Sequence, residues 1–231
     1  MLRVGLTGSI GSGKSTIAGM LGQLGAQVME SDDLGRSLME PGQPVFDQIV
    51  QAFGPAVLAA DGRLDRARLA EIAFRGGRLD ELNRIVHPAV VDAQMQWMNS
   101  VFERDPSAIA VIVSALIFEA ERDARSRGER DTVLSDLRRR IDCLVVVTAP
   151  DDLKVRRYVE RLGLSAAQRA AAEADARSRL AHQIPDAEKA ARADYVLENV
   201  GDRQALWAKV DLLWQYLQAE SNKPGRPGFL K

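Results

Sequence analysis

A single cysteine in a chain of 231 residues leaves no disulfide framework to build on. Cys143 also sits in an apolar run, so a reducing compartment and a cytoplasmic location are expected. No charge of either sign dominates: the balance is −1. Such a chain has no global field to draw nucleic acid or an anionic membrane, and neither is expected as a partner. Long hydrophobic runs are missing as well. The longest, Ala108 to Phe118, contains Ser114 and is too short to span a bilayer. Met1-Leu2-Arg3 leads straight into the first expected strand, so no signal peptide is expected. Internal repeats are absent, and lysine is scarce beside arginine, the cation suited to planar phosphate contacts.

What is present begins at Gly8. Gly8-Ser-Ile-Gly-Ser-Gly-Lys-Ser15 is a complete G-x-x-x-x-G-K-[ST] phosphate-binding loop. The apolar Leu2–Thr7 before it suits a buried strand. After it, Ile17, Met20, Leu21 and Leu24 recur at helical spacing until Gly25 stops the helix. Strand, glycine loop and helix bring backbone N–H groups and a positive helix end onto one polyphosphate. Gly11, Ser12, Gly13, Lys14, Ser15 and Thr16 are the expected nucleotide-binding residues. Lys14 is placed to reach the β- and γ-phosphates, and the Ser15 hydroxyl to ligate Mg²⁺. The loop implies a nucleoside triphosphate; the bland alternative is a glycine-rich turn without a ligand.

Strand candidates alternate with helical stretches, which predicts a parallel α/β sheet covered on both faces. They are Leu2–Thr7, Ala26–Met29, Ile109–Val113, Leu144–Thr148 and Tyr195–Leu197. Two helical insertions are expected, residues 35–105 and 151–192, with core segments at about 1–34, 106–150 and 193–220. The end, 221–231, carries Pro224, Gly225, Pro227 and Gly228 and is expected to fray.

Asp32 follows the second strand candidate, at the carboxyl end where open α/β sheets bind ligands. There it would accept a proton from an attacking hydroxyl or support a metal. The alternative is helix capping by Ser31, Asp32 and Asp33. Asp32-Asp33-Leu34-Gly35 also fits the D-x-x-G of GTPases, but no guanine-reading N-K-x-D follows. Farther on, Lys154, Arg157 and Arg161 fall at i, i+3 and i+7, three cations on one helical face. Arg179 and Gln183 form an i, i+4 pair, and Lys189 follows. Charge on a transferring phosphoryl group calls for such cations, whereas a solvated basic face is the alternative. His87 before Pro88 reads equally as a helix-start packing residue or as part of a substrate site.

Taken together, these motifs resemble the dephospho-coenzyme A kinase family over nearly the whole chain. The resemblance rests on Leu6–Thr16, Glu30-Ser31-Asp32, Arg36, Glu40-Pro41-Gly42, Pro44, Asp61-Gly62, Asp65-Arg66, Leu69, Phe74 and His87-Pro88. It continues through Arg157, Arg161, Arg179, Gln183, Lys189, Ala193-Asp194 and Asn199. It implies a single P-loop kinase unit: a nucleotide-binding core, a helical substrate-binding region over 35–105 and a helical lid over 151–192. Implied with it are ATP as co-substrate, Mg²⁺, dephospho-coenzyme A as acceptor, and a monomer or small homo-oligomer. Asp32 would be the general base, Lys14, Arg157 and Arg161 the other catalytic groups, and Asp32, Arg36 and His87 would meet the acceptor. Other small-molecule P-loop kinases, or a non-catalytic nucleotide-binding protein, share the loop. Three departures stand out. Ser9 replaces a commoner glycine, Ala115 stands where the family shows proline, and 120–140 is a longer, charged connection expected as a solvated helix or mobile loop.

Overall fold

The computed structural model describes residues 1–223. Five strands form one sheet: β1 (Leu2–Thr7), β2 (Gln27–Glu30), β3 (Ile109–Val113), β4 (Cys143–Thr148) and β5 (Tyr195–Glu198). Their order is β2-β3-β1-β4-β5. β1 pairs in parallel with β3 (Val4 opposite Val111) and with β4 (Val4 opposite Cys143), and β4 pairs in parallel with β5. The expected strands are therefore all present, with β2 shifted by one residue and β4 and β5 each extended by one. Apart from Arg3 and Thr7, β1 is apolar because neighbours pair with both its edges and side chains cover both its faces.

The chain divides into two compact units, the first made of 1–29, 98–119 and the residues from 141 on, the second of 30–97 and 120–140. In the first unit, α1 (Lys14–Gln23) and α10 (Arg203–Ser221) pack on the sheet. Ile17, Met20 and Leu21 of α1 join Leu206, Val210, Leu213 and Leu217 of α10 in the core around β1. The i, i+4, i+7, i+11 spacing on α10 gives a single buried stripe, as a helix lying on a sheet requires. This unit also holds α7 (Asp151–Arg161), α8 (Ala166–His182) and α9 (Asp186–Ala190). Val155, Tyr158 and Val159 of α7 bury against Ala172 and Ala176 of α8, whose small side chains admit close approach.

Helices dominate the second unit: α2 (Ser31–Leu38), α3 (Pro44–Phe53), α4 (Arg66–Arg75), most of α5 (Leu79–Arg104) and much of α6 (Ile117–Ser126). Pro44 begins α3, where its missing N–H costs nothing. Val45, Ile49 and Phe53 then face Val57, Leu64 and Leu69 in a separate core. Asp65 caps α4 by accepting the Arg68 N–H at 3.0 Å. Of the segment 221–231 expected to fray, Ser221 is the last residue of α10, and 224–231 lie outside the described residues.

Candidate active site

Residues 8–13 turn the chain from the end of β1, the central strand, into α1. Helix α1 has no side-chain cap, and Ile17 N, donating to Gly13 O at 3.2 Å, makes its first backbone bond. The N–H groups of Lys14, Ser15 and Thr16 thus lack helical acceptors, and with the helix dipole they form an anion site. Close approach requires glycine at Gly11 and at Gly13, among others in the loop. A Cβ on Gly11 would stand 2.1 Å from the Lys154 carbonyl oxygen. One on Gly13, at φ +94°, would stand 2.1 Å from Asn199 Nδ2. Inside the turn, the Ser9 carbonyl accepts both Ser12 N at 3.2 Å and Lys14 Nζ at 3.1 Å.

A cavity of about 440 Å³ opens over this helix start. It gathers Gly11, Gly13, Lys14, Ser15 and Thr16 with Arg157 and Arg161, so the expected phosphate-binding and basic residues share one space. Ser12 is the exception: it is buried and does not line the cavity. Ser15 and Thr16 are exposed.

The basic face of α7 turns out to hold three different jobs. Lys154 is buried, with its ammonium 2.8 Å from Asp151 and 2.6 Å from Asp186. It supports the underside of the loop and is neither a solvated cation nor a phosphate ligand. Arg157 is half-buried and donates to the Asn199 carbonyl at 3.1 Å and to its side-chain oxygen at 3.4 Å. Burial, and then Arg156 beside it, hold its pKa below the usual arginine value. Arg161 is exposed, its guanidinium 5.7 Å from the Tyr158 ring centre. The expected Arg179–Gln183 pair does not form. Arg179 binds Asp175 at 2.8 Å, and Gln183 Oε1 accepts the Ile10 N–H at 3.0 Å. Lys189 is fully buried against Glu119 at 3.0 Å, because α9 turns that face inward.

Asp32, Arg36 and His87 belong to the second unit. Asp32 is exposed in the first turn of α2 and makes no hydrogen bond or ion pair among the described residues. The N-cap is Glu30, without a side-chain cap bond, so capping by Asp32 does not occur. Ser31 is instead buried, its hydroxyl accepting from Gln94 at 2.8 Å. Arg36 pairs with Asp33 at 2.8 Å on the surface. His87 is half-buried in the interior of α5, not at a helix start. Pro88 leaves the Arg84 carbonyl without its helical donor, yet the helix continues, held by Val91, Gln94 and Met98 buried beyond it.

The connection 120–140 is only partly solvated. α6 occupies its first part; beyond it Leu134 and Leu137 are buried, Arg125 donates to the Ser135 carbonyl at 2.7 Å, and Leu137 N donates to Glu121 at 3.2 Å. Arg140 is buried too, and desolvation, partly opposed by Glu121, pushes its pKa down to about 10. Where the proline is missing, Ser114 supplies the turn by accepting the Leu116 N–H at 3.2 Å. The sequence reading gave no role to Asn199, Gly201, Asp202 and Arg203, which line the cavity. Their position just past the carboxyl end of the last strand candidate was the available signal.

The family model for dephospho-CoA kinase matches residues 2–204. A dephospho-CoA kinase of Moorella thermoacetica is 36% identical over 229 residues, covering 99% of this chain and 98% of the relative. One from Syntrophotalea carbinolica is 39% identical over 204 residues, 87% of this chain and 85% of the relative. Among solved structures, TT1252 from Thermus thermophilus is 29% identical with a TM-score of 0.69, covering 95% of this chain and 97% of that one. The dephospho-CoA kinase from Campylobacter jejuni, 19% identical with a TM-score of 0.53 over 93% of this chain and 96% of its own, shares the fold.

Proposed function

The chain belongs to the dephospho-CoA kinase family, and from that premise we propose that it transfers the γ-phosphoryl group of ATP to the ribose 3′-hydroxyl of dephospho-CoA, giving ADP and coenzyme A. The observation that carries this reading is the uncapped start of α1 beneath a cavity shared by Lys14, Arg157 and Arg161. The N–H groups of an uncapped helix start and three cations suit a polyphosphate whose equatorial oxygens gain charge during transfer.

Lys14 and the loop amides hold the β- and γ-phosphates in this reading, and Arg161 reaches the transferring group. The chemistry of the donors fits Mg²⁺. Ser15 offers an exposed hydroxyl with no hydrogen bond to the protein among the described residues, and Mg²⁺ takes few protein ligands alongside substrate phosphates. When bound, the ion neutralises charge on the phosphate oxygens. Asp32, exposed and unengaged, accepts the proton of the attacking hydroxyl, and Arg36 and His87 serve the acceptor. Helices α7 to α9 form the lid. A cytoplasmic location agrees with the lone buried Cys143 and with the absence, among the described residues, of any helix long and apolar enough to cross a membrane.

ADP release measured with dephospho-CoA, nucleosides and nucleoside monophosphates tests the assignment. Release that requires dephospho-CoA is expected. Faster turnover with a nucleoside or nucleotide, or ADP formed at the same rate without acceptor, overturns it.

A further inference from the structure

The phosphate loop is held from outside at two peptide groups, each by an amide side chain from beyond α7. Gln183 takes the Ile10 N–H at 3.0 Å, which turns the Ser9 carbonyl toward Ser12 N and Lys14 Nζ. Asn199 donates from Nδ2 to the Ser12 carbonyl at 2.7 Å. A trans peptide is planar, with its C=O and N–H opposed, so fixing the Ser12 carbonyl also directs the Gly13 N–H away from Asn199. This peptide needs such a hold. Gly13, at φ +94°, has no Cβ to resist a flip, and a flip would withdraw one donor from the anion site.

The Asn199 carboxamide is itself oriented. It is buried, 4% exposed, and its backbone N–H is fixed on the Thr148 carbonyl at 2.8 Å. Its side-chain oxygen and its main-chain carbonyl both accept from the Arg157 guanidinium, at 3.4 and 3.1 Å. Only with the oxygen toward Arg157 does the NH₂ face Ser12. The rigid fork of arginine spans two such acceptors, which a lysine ammonium does not.

We propose that Asn199 is a positioning residue of the phosphate loop and that Arg157 acts through it, setting the Ser12–Gly13 peptide for the β-phosphate in addition to any contact with the transferring group. The proposal rests on the reading of this loop as the nucleotide phosphate site. It separates from a purely electrostatic role for Arg157 because ADP lacks the transferred phosphoryl group.

The test is MgADP affinity, measured by calorimetry on the full chain, for Arg157→Ala, Arg157→Lys, Asn199→Ala and the double Arg157→Ala/Asn199→Ala variant. Melting temperature serves as the folding control. Losing one oriented hydrogen bond predicts roughly a tenfold rise in Kd for each single variant, Arg157→Lys included. The double variant should lose no more than either alone, since both act on one peptide. Arg157→Ala binding MgADP as the wild type does overturns the proposal, as does a double variant whose loss is the product of the two single losses. Should Asn199→Ala fail to fold, the arginine variants decide. Tenfold losses in both support the coupling, and wild-type affinity in Arg157→Lys, where charge alone remains, overturns it. A wild-type protein that binds no MgADP overturns the loop reading itself, and this proposal with it.

Discussion

Replacing Lys189 by Met removes the cation paired with the buried Glu119, its one ion-pair partner among the described residues. The two side chains are 0% and 7% exposed, with Nζ 3.0 Å from Oε1. That same oxygen accepts the Ile184 N–H at 3.0 Å, so after the substitution the carboxylate keeps one neutral donor and no opposite charge. Breaking a buried pair on one side costs about 3–5 kcal/mol. For a chain of this size each kcal/mol moves Tm by about 2–4 °C, so Lys189→Met should melt about 6–20 °C lower. Adding Glu119→Gln should recover most of that. The amide matches the carboxylate in shape, its oxygen still receives Ile184 N–H, and no charge stays buried. Thermal and guanidinium unfolding of wild type, both single variants and the double variant measure the cycle. A Lys189→Met protein melting within about 2 °C of wild type would refute the reasoning, as would a double variant no more stable than Lys189→Met.

Asp32→Asn should lose about 10²–10⁴ in kcat through the missing base, with unfolding free energy changed by less than about 1 kcal/mol, because the exposed carboxylate contributes only a first-turn dipole interaction; a fully active variant removes Asp32 from the chemistry. Arg161→Ala should lower kcat on the order of 10² while KM for dephospho-CoA stays near the wild-type value; the reverse split assigns Arg161 to ground-state binding. Tyr158 should ionise above the ordinary tyrosine pKa of about 10, because burial, and then its hydrogen bond to Asp175 at 3.0 Å, favours the neutral phenol. A pKa raised on folding adds stability that is present below the unfolded value and lost as pH climbs through the folded one. The tyrosinate absorbance difference between wild type and Tyr158→Phe measures this, and a midpoint at or below the free value contradicts it.

Most of the fold could be read from pattern because β3 and β4 are buried apolar runs and the loop motif fixes what precedes and follows it. β1 and β3 fall at the expected residues, and the phosphate loop sits where strand and helix place it. What the sequence concealed were the partners of its charges. Lys154, Arg157 and Arg161 look alike on a helical wheel, yet one is buried under the loop, one is turned onto Asn199 and one remains in solvent. Helical spacing tells which residues share a face, not what lies across from it. Asp186, Gln183 and Asn199 reach the loop from 173 to 187 positions away, and no local signal reports such a pairing. His87 misled for another reason: a proline inside a helix is read as a boundary, and only the buried residues beyond Pro88 reveal that α5 continues.

The strand order has a consequence for hydrogen exchange. β1 lies third of five, its amides and carbonyls paired on both edges, and the phosphate loop springs directly from it. β2, which leads into Asp32, lies at the sheet's edge. Amides of β1 therefore exchange only when the sheet comes apart, while those of β2 are free to exchange through fraying of a single edge. The element that carries the phosphate loop is thus the last part of the molecule to open, and the strand that leads into Asp32 is among the first.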